Sequence, residues 1–418
     1  MSASSVAAPY RGLFAEPVLR RLALADVCAR LPQGMVSITL LLLVVAAQHA
    51  SMTVAGLVVA AYTLGQAVTG PVRGRLADRR GLVPVAVLCG TGYVLALAGL
   101  LASSLARAPA GLLVGCAALA GLVNPPLSPG MRSLWSAQAT AGLRQAAFAL
   151  DAAVFDLAYI TGPVLASALA IGIVPAAALA VMLALTAAAI LTIGRQNQPA
   201  RTRGHPPSGP RPNPLRSSAL RRLLVSAALA NVALTATEVA LTAYVRHHHA
   251  LWASGPLLAE ISAGSIIGSL VAGAKGHRLP RLLAGYTGGL ALLTAAGLYA
   301  PLVAVAAPVA GLCLGPTLAA LFSQAANAAP PGSGTETQSW INSIMNGGAA
   351  AGAALAGLAS GRPILALALA ATAAATATLS TILTKPTSTT RTRALMAESS
   401  VVRRWRGHRD VAGRPAPR

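Results

Sequence analysis

Residues 74–81 read Gly74-Arg75-Leu76-Ala77-Asp78-Arg79-Arg80-Gly81, and they separate two long apolar runs, 52–72 before them and 82–103 after. A helix that crosses the hydrocarbon core of a bilayer needs about 20 predominantly apolar residues. Both runs reach that length, so the octapeptide reads as a short turn between two spanning helices. Gly74 lets one helix end approach a neighbour closely, and Gly81 permits a tight turn. Asp78 can sit near the positive N-terminus of a following helix or pair with an arginine. Such a loop can form a charge latch that is made in one conformation and strained in another.

The alternation of long apolar runs with short gaps continues along the chain. The expected spans are 21–47, 52–72, 82–103, 109–131, 145–170 and 173–194, then 221–245, 254–274, 280–299, 301–324, 338–360 and 363–384. This makes an all-α membrane protein of about twelve transmembrane helices. Residues 1–20 read as a polar N-terminal tail and 21–194 as a first bundle of six helices. Residues 195–220, basic and proline-rich, read as a linker, 221–384 as a second bundle of six, and 385–418 as a basic tail. Leu19-Arg20-Arg21-Leu22 opens the first span and Leu220-Arg221-Arg222-Leu223 the seventh, and Gly70–Arg80 is echoed by Gly268–Arg281. Two halves with weak internal similarity are the mark of a duplicated transporter.

Composition agrees. Charged residues are 10% of the chain and hydrophobic ones 55%, where a soluble domain carries about 25% charged residues. The net charge of +22 is not a nucleic-acid footprint. Its arginines lie in the gaps between apolar runs and in the tails, with few aromatics between them. They crowd alternate gaps: Arg20 and Arg21; Arg73, Arg75, Arg79 and Arg80; Arg132 and Arg144; the linker; Lys275, Arg278 and Arg281; and the C-terminal tail. The other gaps hold little beyond Arg107, Arg246 and Arg362. By the positive-inside rule both termini are cytoplasmic, and the basic loops and tail face anionic lipid headgroups. Only Lys275 and Lys385 are lysines, and with the Ala and Gly excess this composition suggests a GC-rich bacterial genome and hence a bacterial inner (plasma) membrane. Cys28, Cys89, Cys116 and Cys313 all fall in apolar runs and read as small buried residues, not as metal ligands or disulfides.

The octapeptide resembles the signature loop of the major facilitator superfamily, G-x-x-x-D-R/K-x-G-R-R/K. Gly74, Asp78, Arg79 and Gly81 match, while Leu82 and Val83 stand at the last two basic positions. The resemblance covers roughly residues 20–384. It implies two pseudo-symmetric six-helix bundles, a midplane site between them and rocking alternating access. In the fifth span, Ala158-Tyr159-Ile160-Thr161-Gly162-Pro163-Val164-Leu165-Ala166-Ser167 is similar to the G-x-x-x-G-P-x-x-G-G motif of proton-coupled drug antiporters in that superfamily. Gly162 and Pro163 match, with small residues elsewhere; an ordinary packing kink would need the same pair. The arginine-and-glycine motif usual in the fourth helix of such antiporters is not recognisable. Its place is taken by Asn124-Pro125-Pro126-Leu127-Ser128-Pro129-Gly130-Met131-Arg132, whose prolines must bend or break the helix.

The chain has ten acidic residues, and Asp26, Asp151, Asp156, Glu238, Glu260 and Glu336 fall within or at the edge of a span. An intramembrane charge costs about 2.5–3.5 kcal/mol on insertion scales, so these groups face a cavity or a partner. Asp26 and Arg30 are four apart on one helical face, and Arg30 lies about 13 Å beyond Arg21 along the axis. Asp26 is either a proton acceptor adjusted by Arg30 or half of a static pair. Asp151 and Asp156 point in different directions. One faces the cavity while the other touches the fourth helix or Arg132, and Asp151 is also near enough to the helix end to pair with Arg144. Glu238, deep in the seventh span without a local cation, is a proton-carrier candidate. Glu336 caps a helix start. Asn231 and Asn342 are candidate substrate hydrogen-bonders or interhelical glue. Trp135, Trp252 and Trp340 lie where interfacial anchors belong, and His247-His248-His249 reads as a solvated turn, not a metal site.

No P-loop, H-E-x-x-H or nucleophile elbow is present, which speaks against an enzyme or an ATP-driven pump and implies no cofactor. The leading expectation is a monomeric, proton-coupled exporter of a small amphipathic organic compound. Proton-coupled uptake of a sugar or other metabolite is the rival, followed by a non-transporting membrane sensor.

Overall fold

The computed structural model describes residues 3–48, 52–195, 213–250, 253–273, 278–359 and 361–383. Most of the expected linker, Lys275, Trp252 and the basic C-terminal tail lie outside the described residues. The compact unit of residues 1–381 carries the architecture below; of the second unit, 382–418, only the first two residues are described.

Among the described residues there are fifteen α-helices and no strand. In the first half they are α1 (Ala3–Ala15), α2 (Pro17–Gln48), α3 (Met52–Arg80), α4 (Leu82–Leu105), α5 (Ala110–Leu122), α6 (Leu127–Gln138), α7 (Ala141–Gly172) and α8 (Pro175–Gly194). The second half holds α9 (Ser218–His247), α10 (Ser254–Gly273), α11 (Leu279–Ala296), α12 (Ala300–Gly311), α13 (Leu314–Ala328), α14 (Gly334–Leu358) and α15 (Pro363–Ile382). Counting α5–α6 and α12–α13 as one broken span each, the helices after α1 make twelve spans, six on each side of the linker. Ten are long and apolar enough by themselves to cross a membrane. The other two, α11 and α14, carry Gly-Gly, Tyr, Asn, Gln and Glu, and α14 turns its polar residues into the protein.

Local chemistry sets the helix ends. Proline opens α8, α11 and α12 in the first turn, where its missing N–H is not needed. The Ser217 hydroxyl caps α9 by accepting from the Leu220 amide at 3.3 Å. Gly81, at φ +97°, makes the turn between α3 and α4, a backbone angle that other residues rarely adopt. The fourth span breaks at Val123–Pro126, as its prolines require. The tenth breaks at Leu312–Cys313, which the expected continuous span 301–324 did not anticipate. There Pro316 has no amide to give the Leu312 carbonyl, so the helix restarts at Leu314.

Within each half, helix pairs meet at glycines. A Cβ on Gly34 or Gly162 would strike backbone of the facing helix, so α2 and α7 lie in direct main-chain contact. The same holds for Gly65 and Gly121 between α3 and α5, for Gly264 and Gly311 between α10 and α12, and for Gly348 and Gly352 of α14 against α9. Gly162 therefore serves close packing, and α7 runs on through Pro163. Outward-facing Leu57, Leu64, Val68, Leu88 and Leu95 are exposed, as lipid-facing side chains are.

Residues 3–15, expected as part of a polar tail, instead form α1. Leu13 is fully buried and α1 packs on α7 of its own half. The Tyr10 hydroxyl donates to the Leu270 carbonyl of α10, in the other half, at 2.8 Å. Burial pushes the Tyr10 phenol up to about 12, so it keeps its proton to donate.

Candidate functional site

A cavity of about 830 Å³ lies between the halves. The first half lines it with Arg30, Gln33, Arg132, Phe155, Asp156 and Tyr159, and the second with Asn231, Glu238, Tyr286, Phe322 and Asn342. Below it, toward the end that carries residues 74–81, the halves touch; we call this the basic end.

Four buried charges cluster in the first half beside the cavity, and two of them, Arg30 and Arg132, line it. Arg30 Nε donates to Asp26 Oδ1 at 3.2 Å, and Arg30 Nη2 bonds Asp151. Arg132 Nε donates to the other Asp151 oxygen at 3.0 Å. All four side chains are 0–1% exposed. Two acids and two bases leave the cluster neutral, which is what makes burying it tolerable. It sits where two apolar layers of the first half meet. Leu19, Leu22 and Leu82 lie on the side of the basic end, and Leu40, Val44 and Leu97 on the far side. Arg132 also donates to Asn342 Oδ1 across the two halves at 2.7 Å and stacks 3.3 Å above the Phe322 ring.

Some sequence expectations are corrected by this geometry. Asp151 is not paired with Arg144, which donates to Asn327 instead at 3.3 Å. Trp135 is no interfacial anchor: it is fully buried and its indole N–H reaches Asp26 at 3.4 Å. The helix N-terminus that Asp78 meets lies far along the chain. The two Asp78 oxygens accept the Thr335 and Glu336 amides, at 2.9 and 2.8 Å, at the start of α14 in the opposite half. Glu336 in turn accepts from Arg75 at 2.6 and 3.0 Å. Gly74 allows this approach, since a Cβ there would lie 2.8 Å from the Thr335 carbonyl. Arg79 is exposed at the end of α3.

The remaining candidates separate by surroundings. Asp156 is buried and accepts from the Ser265 hydroxyl of α10, so it too bridges the halves. Glu238 faces the cavity, exposed to it, with Tyr159 and Tyr286 within electrostatic reach. Asn231 donates to the Met345 carbonyl at 2.6 Å and fastens α9 to α14. Gln33, which sequence reasoning passed over, donates to Ser128 at 2.6 Å beside the break in the fourth span.

The sequence profile of the Major Facilitator Superfamily matches residues 22–353. The chain belongs to the Major Facilitator Superfamily. As in other multi-pass transporters of the superfamily, transport is secondary, driven by gradients and not by ATP. Among curated proteins, no sequence matches this member significantly. Solved structures resemble it in fold. The human organic anion transporter MFSD10 (TETRAN) is 17% identical, with a TM-score of 0.66 over 87% of this chain and 99% of that one. A bacterial homologue of the iron transporter ferroportin, in an outward-facing state, is 13% identical, with a TM-score of 0.71 over 87% and 98%. The Escherichia coli fucose:proton symporter FucP is 13% identical, with a TM-score of 0.69 over 88% and 98%.

Proposed function

We propose that this transporter is a proton-coupled exporter of small amphipathic organic compounds in a bacterial plasma membrane. It works as a monomer with both termini in the cytoplasm and its basic loops against anionic lipid. The observation that carries the reading is Glu238, an acid open to the cavity and without an ion pair among the described residues. An acid placed so exchanges protons with whatever water fills the cavity. Asp151, held by two arginines, is a fixed pivot of the neutral cluster, and Asp26 shares that cluster.

Asp156 supplies the link to movement. As a carboxylate it is a strong acceptor for Ser265; protonated, it is a weaker one. Its charge therefore bears on a contact between α7 and α10, which belong to different halves. The Asp78 and Arg75 contacts at α14 hold the basic end shut, and by the arginine bias that end is cytoplasmic. Proton loss and gain at Asp156 and Glu238 then shift the balance between the two facings.

The solved relatives carry cargoes as different as organic anions, iron and fucose by their names, so fold leaves direction and cargo to the site. Uptake of a polar metabolite is the second reading, favoured by the amides of Gln33, Gln66 and Asn346 in the lining.

The test is proton movement in proteoliposomes with an imposed pH gradient and lipophilic drugs added singly. Proton flux should start on adding a transported compound, run opposite to it, and vanish in Glu238→Gln and Asp156→Asn. Proton-driven transport retained in both variants overturns the assignment; flux in the same direction as the compound selects uptake.

A further inference from the structure

Arg73 stands apart from the other charges at the cavity. It lies on α3, is 8% exposed, and lines the cavity with Gln66 and Gly70, on one helical face. Its Nη2 donates to the Gln66 carbonyl at 2.9 Å, two turns back along the helix. The guanidinium is thus directed toward the middle of the span and away from the basic end, where a snorkelling arginine would reach. Nε is buried and has no hydrogen-bond partner.

The other buried arginines at the cavity, and the more exposed Arg75 on the same helix, each have an acid. Arg30 shares Asp26 and Asp151, Arg132 takes Asp151, and Arg75 has Glu336. Among the described residues no carboxylate pairs with Arg73. A cation held inside a membrane bundle without a counter-charge is costly, and the outlay makes sense when a ligand brings the missing charge. A planar guanidinium with an unused N–H suits a planar, two-oxygen acid. Gly70, one turn away, faces Ser343 of α14, whose Oγ would lie 2.8 Å from a Cβ there.

Taking the cavity as the substrate site, as proposed above, we infer that Arg73 is the anchor for a carboxylate on the transported compound, so that the cargo is an amphipathic organic acid. Its apolar body lies along the cavity wall of Phe155, Ile160 and Leu258.

The experiment compares two probes on the purified full chain in nanodiscs: dansylglycine, a carboxylate, and dansylglycinamide, its neutral amide. The native protein should bind the carboxylate about tenfold or more tighter than the amide, the scale on which loss of a buried charge partner is felt. Arg73→Gln should bring the two to equal affinity without changing the amide, and Arg73→Lys should keep part of the preference. Empty Arg73→Gln protein should melt no lower than the native chain, because an uncompensated charge has been removed, and dansylglycine should raise the melting temperature of the native chain only. Equal affinities in the native protein, a preference that survives Arg73→Gln, binding of neither probe, or a lowered melting temperature in the empty variant would each overturn the inference. The drug-driven proton flux is measured separately, so failure here leaves the exporter reading to stand or fall on its own assay.

Discussion

Replacing Asp78 by Asn should loosen the basic end. In the closed form the two carboxylate oxygens accept the first free amides of α14, at 2.9 and 2.8 Å, and the charge faces the positive end of that helix. Hydrogen bonds to a charged group contribute about 1.5–3 kcal/mol each and neutral ones about 0.5–1.5 kcal/mol. Asparagine keeps one acceptor oxygen at neutral strength and turns an N–H₂ toward the other amide. The loss is therefore about 2–3 kcal/mol, which moves the equilibrium between closed and open forms by about 30- to 150-fold. The full amount falls on that equilibrium because α3 and α14 belong to different halves and the contact cannot survive opening. The Arg75–Glu336 pair is a useful contrast. Arg75 is nearly half exposed, so Arg75→Ala should shift the balance by about 1 kcal/mol or less. Spin labels at Arg80→Cys and Pro331→Cys, on the two sides of this contact, report the populations by pulsed electron resonance. An unchanged distance distribution in Asp78→Asn, or a larger shift in Arg75→Ala, would refute the reasoning.

Two further outcomes follow from the packing. Asp151→Asn leaves Arg30 and Arg132 sharing one acid in a site 0–1% exposed, so stability should fall by about 3–5 kcal/mol; Asp151→Asn with Arg132→Gln, which restores neutrality, should recover part of it in thermal melts, and an unchanged melt for the single variant would sink the claim. Gly34→Ala, which drives a methyl into the Ala158 carbonyl, should cost about 1–3 kcal/mol, while Gly115→Ala, with open space around it, should be neutral or stabilising; equal melts for both would show that the glycine contacts do not govern packing.

Local patterns carried much of this structure. Apolar run lengths gave the twelve spans, the proline triplet gave the break after Leu122, and four-residue spacing put Asp26 beside Arg30. What sequence could not reveal was partnership at long range. Asp151 meets Arg30 from 121 residues away, and Asp78 reaches Glu336 from 258 residues away. Trp135 has the spacing of an anchor, and only the folded bundle turns it inward to Asp26. The break at Leu312–Cys313 has its signal in Pro308 and Pro316, set in a run that is otherwise evenly apolar. Helix α1 has the sequence of a tail, and its burial depends on α7 and α10, which no window of neighbouring residues contains.

That first helix has a practical consequence. It is tethered by the chain to α2 yet holds Leu270 of α10 through Tyr10, so in an alternating-access cycle it must let go each time the basic end parts. Cargo fused ahead of it, such as a fluorescent protein or an affinity tag, would hang from a component that releases and re-docks once per turnover, and its bulk would be felt as a slower cycle rather than as a weaker fold.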